Sequence, residues 1–296
     1  MSRSFAALAG GLEMVQSMSF HKLHVPILAN YTLAVNTYLI RLDAPALAEA
    51  IRPGQFMMIR LPKSTDPLLG RPFALYDTVL DADGRPAGID VVYVVVGKMT
   101  RLMAGLKNGD TVEAWGPLGN GFPEPAGGEH VGLVAGGIGQ TPFLAHLREL
   151  LGTRGYGGQA PHRRAQRVSL YYGVRTANLV AGVEDFHRAG ATVHLASNDG
   201  SIGYHGFVTD LLETHEAPQH LFGCGPEPML RALATQAERR GIPCHLSLET
   251  PMACGIGICF SCVTAVKTEG GWDYKRVCVD GPVFDAKCLY LAGGSL

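Results

Sequence analysis

The sequence has no long apolar run, no excess of charge and no even set of cysteines, and each absence excludes a class of protein. Its longest apolar stretch, Val91–Val96, is strand-length and β-branched, well short of the ~18 residues of a membrane-spanning helix. No membrane association is expected. Formal net charge is −1, from 25 Lys and Arg against 26 Asp and Glu, so no basic surface suggests a nucleic-acid partner. Seven cysteines, an odd number, argue against a disulfide framework and for a reducing, cytoplasmic compartment. Phe5–Leu12 imitates the apolar part of a secretory signal, but only Arg3 precedes it and Glu13 interrupts it. What is present is an ordinary globular composition, 47% hydrophobic and 17% charged over 296 residues, enough for two or three domains.

The densest chemistry lies near the C-terminus. Cys254, Cys259, Cys262 and Cys278 follow the order C-x4-C-x2-C-x15-C, the spacing that holds a plant-type [2Fe–2S] cluster. Gly255 and Gly257 remove Cβ atoms between the first two ligands, so the loop can wrap a cluster and aim N–H groups at its sulfurs. Val263–Val266 and Tyr274–Val277, around Glu269-Gly270-Gly271, read as a β-hairpin that returns Cys278 to the other three. A structural zinc site fits less well, because zinc ribbons favour paired C-x2-C knuckles. Cys244 and Cys288 lie outside the spacing and read as packing residues.

Upstream, three regions succeed one another. From Leu23 to Phe122, short β-branched or aromatic runs (Tyr31–Val35, Tyr38–Leu42, Gln55–Arg60, Phe73–Tyr76, Ile89–Val96, Thr111–Trp115) alternate with Pro, Gly and Asp turns, the pattern of an antiparallel β-barrel whose one clear helical turn is Thr100–Leu106. Asp81–Gly84 supplies a hairpin turn. After a Pro/Gly boundary near Pro123–Gly128, strands at Val131–Ala135, Val168–Tyr172, Thr192–Ala196, His220–Phe222 and His245–Leu248 alternate with helices at Pro142–Leu151, Leu179–Ala189, Gly206–Glu213 and Pro228–Arg240. That alternation is a doubly wound α/β domain. Thr153–Arg167 reads as a solvated insertion. The expected division is a 1–22 extension, a 23–125 barrel, a 126–249 α/β domain and a 250–296 cysteine-loop domain.

Several short motifs carry binding chemistry. Arg71-Pro72-Phe73-Ala74 resembles the Arg-x-Tyr/Phe-Ser/Thr motif of the ferredoxin reductase superfamily, where the arginine meets the flavin pyrophosphate and the strand edges the isoalloxazine ring. A guanidinium offers a planar, always charged fork suited to that phosphate. Val92-Tyr93-Val94 and then Met99-Thr100 stand where that superfamily holds flavin and anchors its phosphates. Gly136-Gly137-Ile138-Gly139 follows an apolar strand and opens a helix, with Thr141 as its expected N-cap and Pro142 as its first residue. Cys224-Gly225-Pro226 matches the signature that lies beside the nicotinamide ring in the same superfamily. Arg175, after the second strand, is a candidate contact for a 2′-phosphate or only a solvated loop residue, and Asn198–Ser201 for the nucleotide cleft or only a turn.

Together with Gly116–Phe122 and Arg276–Phe284, these motifs resemble the electron transfer subunits of NAD-dependent dihydroorotate dehydrogenase over nearly the whole chain after residue 23. The resemblance implies FAD at Arg71, Pro72, Phe73, Ala74, Val92, Tyr93, Val94, Met99 and Thr100. It implies NAD at Gly136, Gly137, Gly139, Thr141 and Cys224, and a [2Fe–2S] cluster on Cys254, Cys259, Cys262 and Cys278. It further implies an FMN-containing catalytic subunit as partner, in a heterotetramer of two of each, with electrons passing from that FMN through the cluster and FAD to NAD+ in pyrimidine biosynthesis. No general acid or base is assigned. Two residues depart from the pattern: Met99 replaces a usual glycine, with an altered backbone approach to the flavin phosphate as the expected effect, and Ala74 replaces a usual hydroxyl residue. The competing expectations are the small subunit of an NADPH-dependent ferredoxin oxidoreductase or sulfide dehydrogenase, and a non-catalytic metal-binding module.

Overall fold

The computed structural model describes residues 21–290, so the expected 1–22 extension lies, but for its last two residues, outside the described residues. Seven antiparallel strands come first: β1 (His21–Ala34), β2 (Thr37–Asp43), β3 (Phe56–Arg60), β4 (Arg71–Ala74), β5 (Asp77–Leu80), β6 (Pro86–Val94) and β7 (Thr111–Leu118). Their order is β4-β3-β7-β1-β2-β6-β5. The long β1 pairs with β7 along its first half and with β2 along its second, with register irregularities after Ile27 and Thr32. Such bulges bend a strand, and the sheet rolls until Phe73 of β4 meets Tyr93 of β6 edge-on at 6.1 Å. The result is the expected barrel, filled by Ile27, Ile40, Leu42, Met57, Ile59, Leu75, Val91 and Val112.

Two helices serve the barrel. α1 (Pro45–Ala50) buries Leu47 and Ala48, and α2 (Lys98–Ala104) buries Met99, Thr100 and Met103. The pattern pointed to only one, because α1 has six residues, too few to display a helical period. The single strand expected at Phe73–Tyr76 proves to be the end of β4, a crossing at Leu75 and Tyr76, and then β5, which pairs with β6 at the far edge of the sheet.

The second unit alternates β8 (His130–Gly136), α3 (Phe143–Leu150), β9 (Arg167–Val174), α4 (Val183–Arg188), β10 (Thr192–Ser197), β11 (Tyr204–His205), α5 (Val208–Glu213), β12 (His220–Cys224), α6 (Glu227–Arg240) and β13 (Cys244–Ser247). The C-terminal segment adds the hairpin β14 (Val263–Thr268) and β15 (Gly271–Arg276), then β16 (Val283–Asp285). The α/β sheet runs β11-β10-β9-β8-β12-β13-β16, parallel except for β16, which pairs antiparallel with β13. The cysteine-bearing segment thus contributes an edge strand to the α/β sheet. The helix expected at Leu179–Ala189 is a 3-10 turn at Ala177–Leu179 and then α4, divided at Gly182, whose φ is +72°. Cys244 is buried as a packing residue should be, but Cys288 is exposed.

Thr153–Arg167 is exposed at 158–163, as a solvated insertion should be, but its first part is not. Its Tyr156 is buried, and its Arg154 and Tyr156 donate to the carboxylate of buried Asp77 in β5 at 2.8 and 2.7 Å. Arg148 of α3 binds the same carboxylate at 2.8 Å. The loop fastens the barrel to the α/β unit. A second seam lies at Phe122, which stacks on Phe143 and His146 and meets Phe222 edge-on.

Candidate redox and dinucleotide site

Two glycine-bearing turns, Gly136–Gly139 and Cys224–Pro226, meet at the C-terminal ends of β8 and β12. The strand order reverses between these two neighbours, which is where open α/β sheets leave their ligand crevice. Gly136 and Gly139 are buried and Gly137 is exposed at φ +56°. A Cβ on Gly139 would stand 2.2 Å from the Cys224 carbonyl oxygen, so only glycine lets this turn close onto Cys224-Gly225. Thr141 is not an N-cap: Gly137–Gln140 form a 3-10 turn, Pro142 occupies the cap position in helical conformation, and α3 starts at Phe143. Thr141 is instead buried. Desolvation pushes the Cys224 thiol up to about 12, with the Glu249 charge adding and a Ser247 hydrogen bond opposing. A thiol so raised stays protonated at neutral pH, which suits a contact beside a ring better than a nucleophile. Ser247 and Glu249, at the end of β13, are neighbours that no motif indicated.

At the outer edge of the cleft, Asp199 accepts from the Ser201 N–H at 3.0 Å and from its hydroxyl at 2.6 Å. These bonds hold the carboxyl low, at about 2. The Asp199 N–H donates to the Arg175 carbonyl at 3.3 Å, tying the loops after β9 and β10 together. The residue at this edge is therefore an ionised carboxylate.

On the barrel, the sheet register sorts the flavin candidates. Residues directly opposed in antiparallel strands share a face. Met57 opposes Phe73 and both enter the barrel core, whereas Phe56 opposes Ala74 and Met58 opposes Pro72, so Pro72 and Ala74 lie on the outer face. Arg71 is exposed, and Nη1 donates to the carbonyls of Leu69 and Gly70, both at 3.0 Å. Among the described residues its other nitrogens take no partner, which leaves a fork for a phosphate. Tyr93 points inward, donating to Asn30 at 3.1 Å and stacking on Tyr38, so only its backbone can edge a cofactor. Val92 is buried toward the α/β seam and Val94 is half-buried.

Met99 does not obstruct the start of α2. Its side chain is 3% exposed and packed in the barrel core, directed away from the approach that a glycine would leave open. The Thr100 hydroxyl accepts from the N–H groups of Val96 and Gly97 at 3.0 and 3.2 Å and so fixes the turn leading into the helix.

The outer face of β3 and β7 carries the cysteine module. Phe56, Met58 and Leu118 pack with Met252, Cys262, Val277 and Cys278, with Trp115, Leu248 and Phe284 alongside. Gly255 and Gly257 have φ of +73° and +83°, and a Cβ on Gly255 would stand 2.7 Å from Met58 Cγ. The loop reaches the barrel only because it is glycine there. The hairpin closes as the sequence implied: the Val277 N–H donates to the Cys262 carbonyl at 2.7 Å, which sets Cys278 beside Cys262. The turn Gly116–Phe122 docks on the C-terminal tail, Asn120 donating through its N–H to Gly281 at 2.6 Å and through Nδ2 to Val279 and Asp280 at 3.0 and 3.1 Å.

The four thiols influence one another: Cys254 acts on Cys259, and Cys262 and Cys254 act on Cys278. Hydrogen bonds from Ser261 and Cys254 hold Cys259 down to about 6, while burial first, and then Cys262, pushes Cys278 up to about 12. Among the described residues no three His, Cys, Asp or Glu side chains gather as ligands of one ion. Four thiols carried by one glycine loop and the hairpin behind it suit a two-iron cluster with two thiolates on each iron. Arg276, quoted in the sequence only as part of the tail, braces this loop: Nη1 donates to the Gly257 carbonyl at 3.1 Å and the guanidinium lies 5.2 Å from the Phe260 ring centre.

Comparison with known proteins agrees with this architecture. Residues 249–290 match the family model of the iron-sulfur cluster binding domain of dihydroorotate dehydrogenase B. The chain is 35% identical over 262 residues to the dihydroorotate dehydrogenase B (NAD(+)) electron transfer subunit of Desulforamulus reducens, covering 87% of this chain and 94% of that one. It is 40% identical over 258 residues to the same subunit of Bacillus caldolyticus, covering 86% and 93%. Among solved structures, the NADH-dependent reduced ferredoxin-NADP oxidoreductase, described for flavin-based electron bifurcation, superposes with a TM-score of 0.74 at 26% identity over 90% of each chain.

Proposed function

The chain belongs to the family of NAD-dependent dihydroorotate dehydrogenase B electron transfer subunits, and from that premise we propose the roles of its residues and the nature of its partner. The family's redox groups are FAD, a [2Fe–2S] cluster and NAD. Flavin exchanges hydride with nicotinamide and single electrons with an iron–sulfur cluster, and so joins the two kinds of chemistry.

The observation that carries the assignment is the shared sheet face. Pro72 and Ala74 of β4 lie on the same outer barrel face as the cysteine module, on adjacent strands, while the Gly136–Gly139 turn and Cys224 meet at the neighbouring α/β crevice. Arg71 holds the flavin pyrophosphate, the β4 backbone with Pro72 and Ala74 edges the ring, and the turn into α2 at Met99 and Thr100 lies against the phosphates. Gly136, Gly137 and Gly139 admit the dinucleotide backbone, Thr141 supports the turn from beneath, and Cys224 borders the nicotinamide. Cys254, Cys259, Cys262 and Cys278 hold the cluster. The working divisions are a barrel at 23–125, a dinucleotide unit at 126–249 and a cluster unit at 250–296, the last lending β16 to the second.

The partner is an FMN-containing catalytic subunit, two copies of each chain forming a heterotetramer in the cytoplasm. Around the exposed Cys259, Ile256, Ile258, Phe260 and Val279 present apolar surface at 42%, 74%, 63% and 39% exposure. A cluster rim of this kind fits a docking face more than a solvated loop. The test is division of labour. The isolated holoprotein oxidises NADH with artificial acceptors and leaves dihydroorotate untouched, and dihydroorotate-dependent NAD+ reduction appears only with the catalytic subunit. Unaided dihydroorotate oxidation by this chain refutes the assignment. The likeness to the ferredoxin-NADP oxidoreductase favours one alternative, in which reduced ferredoxin and NADPH replace dihydroorotate and NADH in the same assay.

A further inference from the structure

Trp115 occupies a position that the function so far leaves unused. It opposes Met58 across β7 and β3, and Met58 opposes Pro72 across β3 and β4, so Pro72, Met58 and Trp115 form one row on the outer face of the barrel. The cysteine loop lies on that row, with Gly255 against Met58 and the Cys254 carbonyl accepting from Trp115 Nε1–H at 3.2 Å. The benzene ring of the indole faces Gly70: a Cβ there would stand 2.5 Å from the Trp115 ring carbon Cη2. Gly70 leads directly into Arg71, whose guanidinium donates back to the Gly70 carbonyl at 3.0 Å. One rigid side chain therefore touches the backbone entering the flavin strand and the backbone of a cluster ligand.

We propose that Trp115 is a positioning residue for electron exchange between the two redox modules, its indole setting the distance and orientation of the Cys254 loop relative to the Arg71–Ala74 strand. The proposal rests on the flavin and cluster assignments above. Three features support a role beyond packing. The indole N–H makes a directional bond to a ligand-bearing residue, so the loop is aimed as well as covered. The loop's own backbone turns at Gly255 and Gly257, which leave it conformationally permissive unless braced from outside. Gly70 permits close approach of the ring at the one point where any side chain would expel it.

The experiment uses the purified holoprotein and three variants. Trp115→Phe keeps a ring and removes the N–H, Trp115→Leu removes both, and Gly70→Ala pushes the ring from the other side without altering it. Anaerobic stopped-flow with NADH follows flavin bleaching and cluster reduction as separate phases, and electron paramagnetic resonance with a redox titration reports the cluster itself. We expect NADH-to-flavin reduction within about twofold of the parent in the Trp115 variants, because the crevice lies at the ends of β8 and β12 whereas Trp115 belongs to β7. Cluster reduction should slow by about tenfold in Trp115→Leu and Gly70→Ala, and less in Trp115→Phe, as misplacement of reacting groups does. The cluster signal should shift in Trp115→Phe even where its content is unchanged, a change that loss of stability alone does not produce. Cluster reduction and cluster signals equal to the parent in all three variants overturn the proposal. A parent protein without flavin or cluster overturns the site assignment beneath it.

Discussion

Replacing Asp77 by asparagine removes one charge from the seam between barrel and α/β unit while leaving shape nearly intact. Asp77 is 5% exposed and its carboxylate accepts from Arg148, Arg154, the Tyr156 hydroxyl and the Thr78 N–H at 2.8, 2.8, 2.7 and 2.9 Å. Burial pushes its pKa up, and the two guanidinium groups and the tyrosine hydroxyl pull it back. An asparagine in the same place faces two cations with a neutral amide, one of whose ends is a donor. Breaking a buried ion pair from one side costs ~3–5 kcal/mol. The arginine side chains are 24% and 20% exposed, and water shares in their solvation, which lowers the expected loss to ~2–3 kcal/mol. Urea unfolding at neutral pH, followed by far-ultraviolet circular dichroism and flavin fluorescence, should show an earlier midpoint at unchanged slope. A second substitution, Arg154→Met, should recover part of the loss, because an apolar side chain needs no counter-charge. An Asp77→Asn protein within ~0.5 kcal/mol of the parent, the range of an ordinary surface change, would refute the argument that this loop is an electrostatic fastening.

Three further outcomes follow from particular contacts. Gly139→Ala should abolish NADH-dependent dye reduction while flavin and cluster remain bound, since its Cβ would enter the Cys224 carbonyl at 2.2 Å; activity within twofold of the parent, roughly the noise of such an assay, would show that the turn does not form the crevice. Asp199→Asn should raise kcat/KM for NADPH by about tenfold relative to NADH, because removing an ionised carboxylate from the cleft edge relieves repulsion of a 2′-phosphate; unchanged selectivity would place that ribose elsewhere. Burial holds the pKa of His220 down at about 4 and also lowers those of His146 and His245. The unfolded chain takes up these protons near pH 6.5, the ordinary value, and the folded chain only at lower pH, so the contribution of these groups to stability is constant above pH 6.5 and falls as pH drops toward 4. His220→Gln should flatten that slope in thermal melts across this range, and an unaltered slope would remove His220 from the explanation.

Much of the site was legible because its chemistry is local in sequence. The cysteine spacing, the glycines at 255 and 257 and the hairpin that follows are properties of one segment, and the β8 turn announces itself by glycines after an apolar strand. Thr141 was misread because a glycine-rich turn can continue as a 3-10 helix before the α-helix begins, a choice that spacing does not encode. Thr153–Arg167 was legible only in part, for a different reason: its 158–163 stretch is solvated as its composition suggests, but no local pattern shows that the buried carboxylate of Asp77 takes Arg154 and Tyr156.

By itself the sequence determined the alternating patterns that make a barrel and a doubly wound sheet, and the residue types and spacing of the cofactor motifs, since these depend on near neighbours along the chain. Only the tertiary structure decided which side chains of β4 and β6 face outward, that Met99 turns into the core, and that β16 crosses over to join the α/β sheet. It alone set Trp115 between Gly70 and Cys254. Strand register and sheet order bring together residues far apart in the chain, and no local pattern of propensity or spacing contains that pairing.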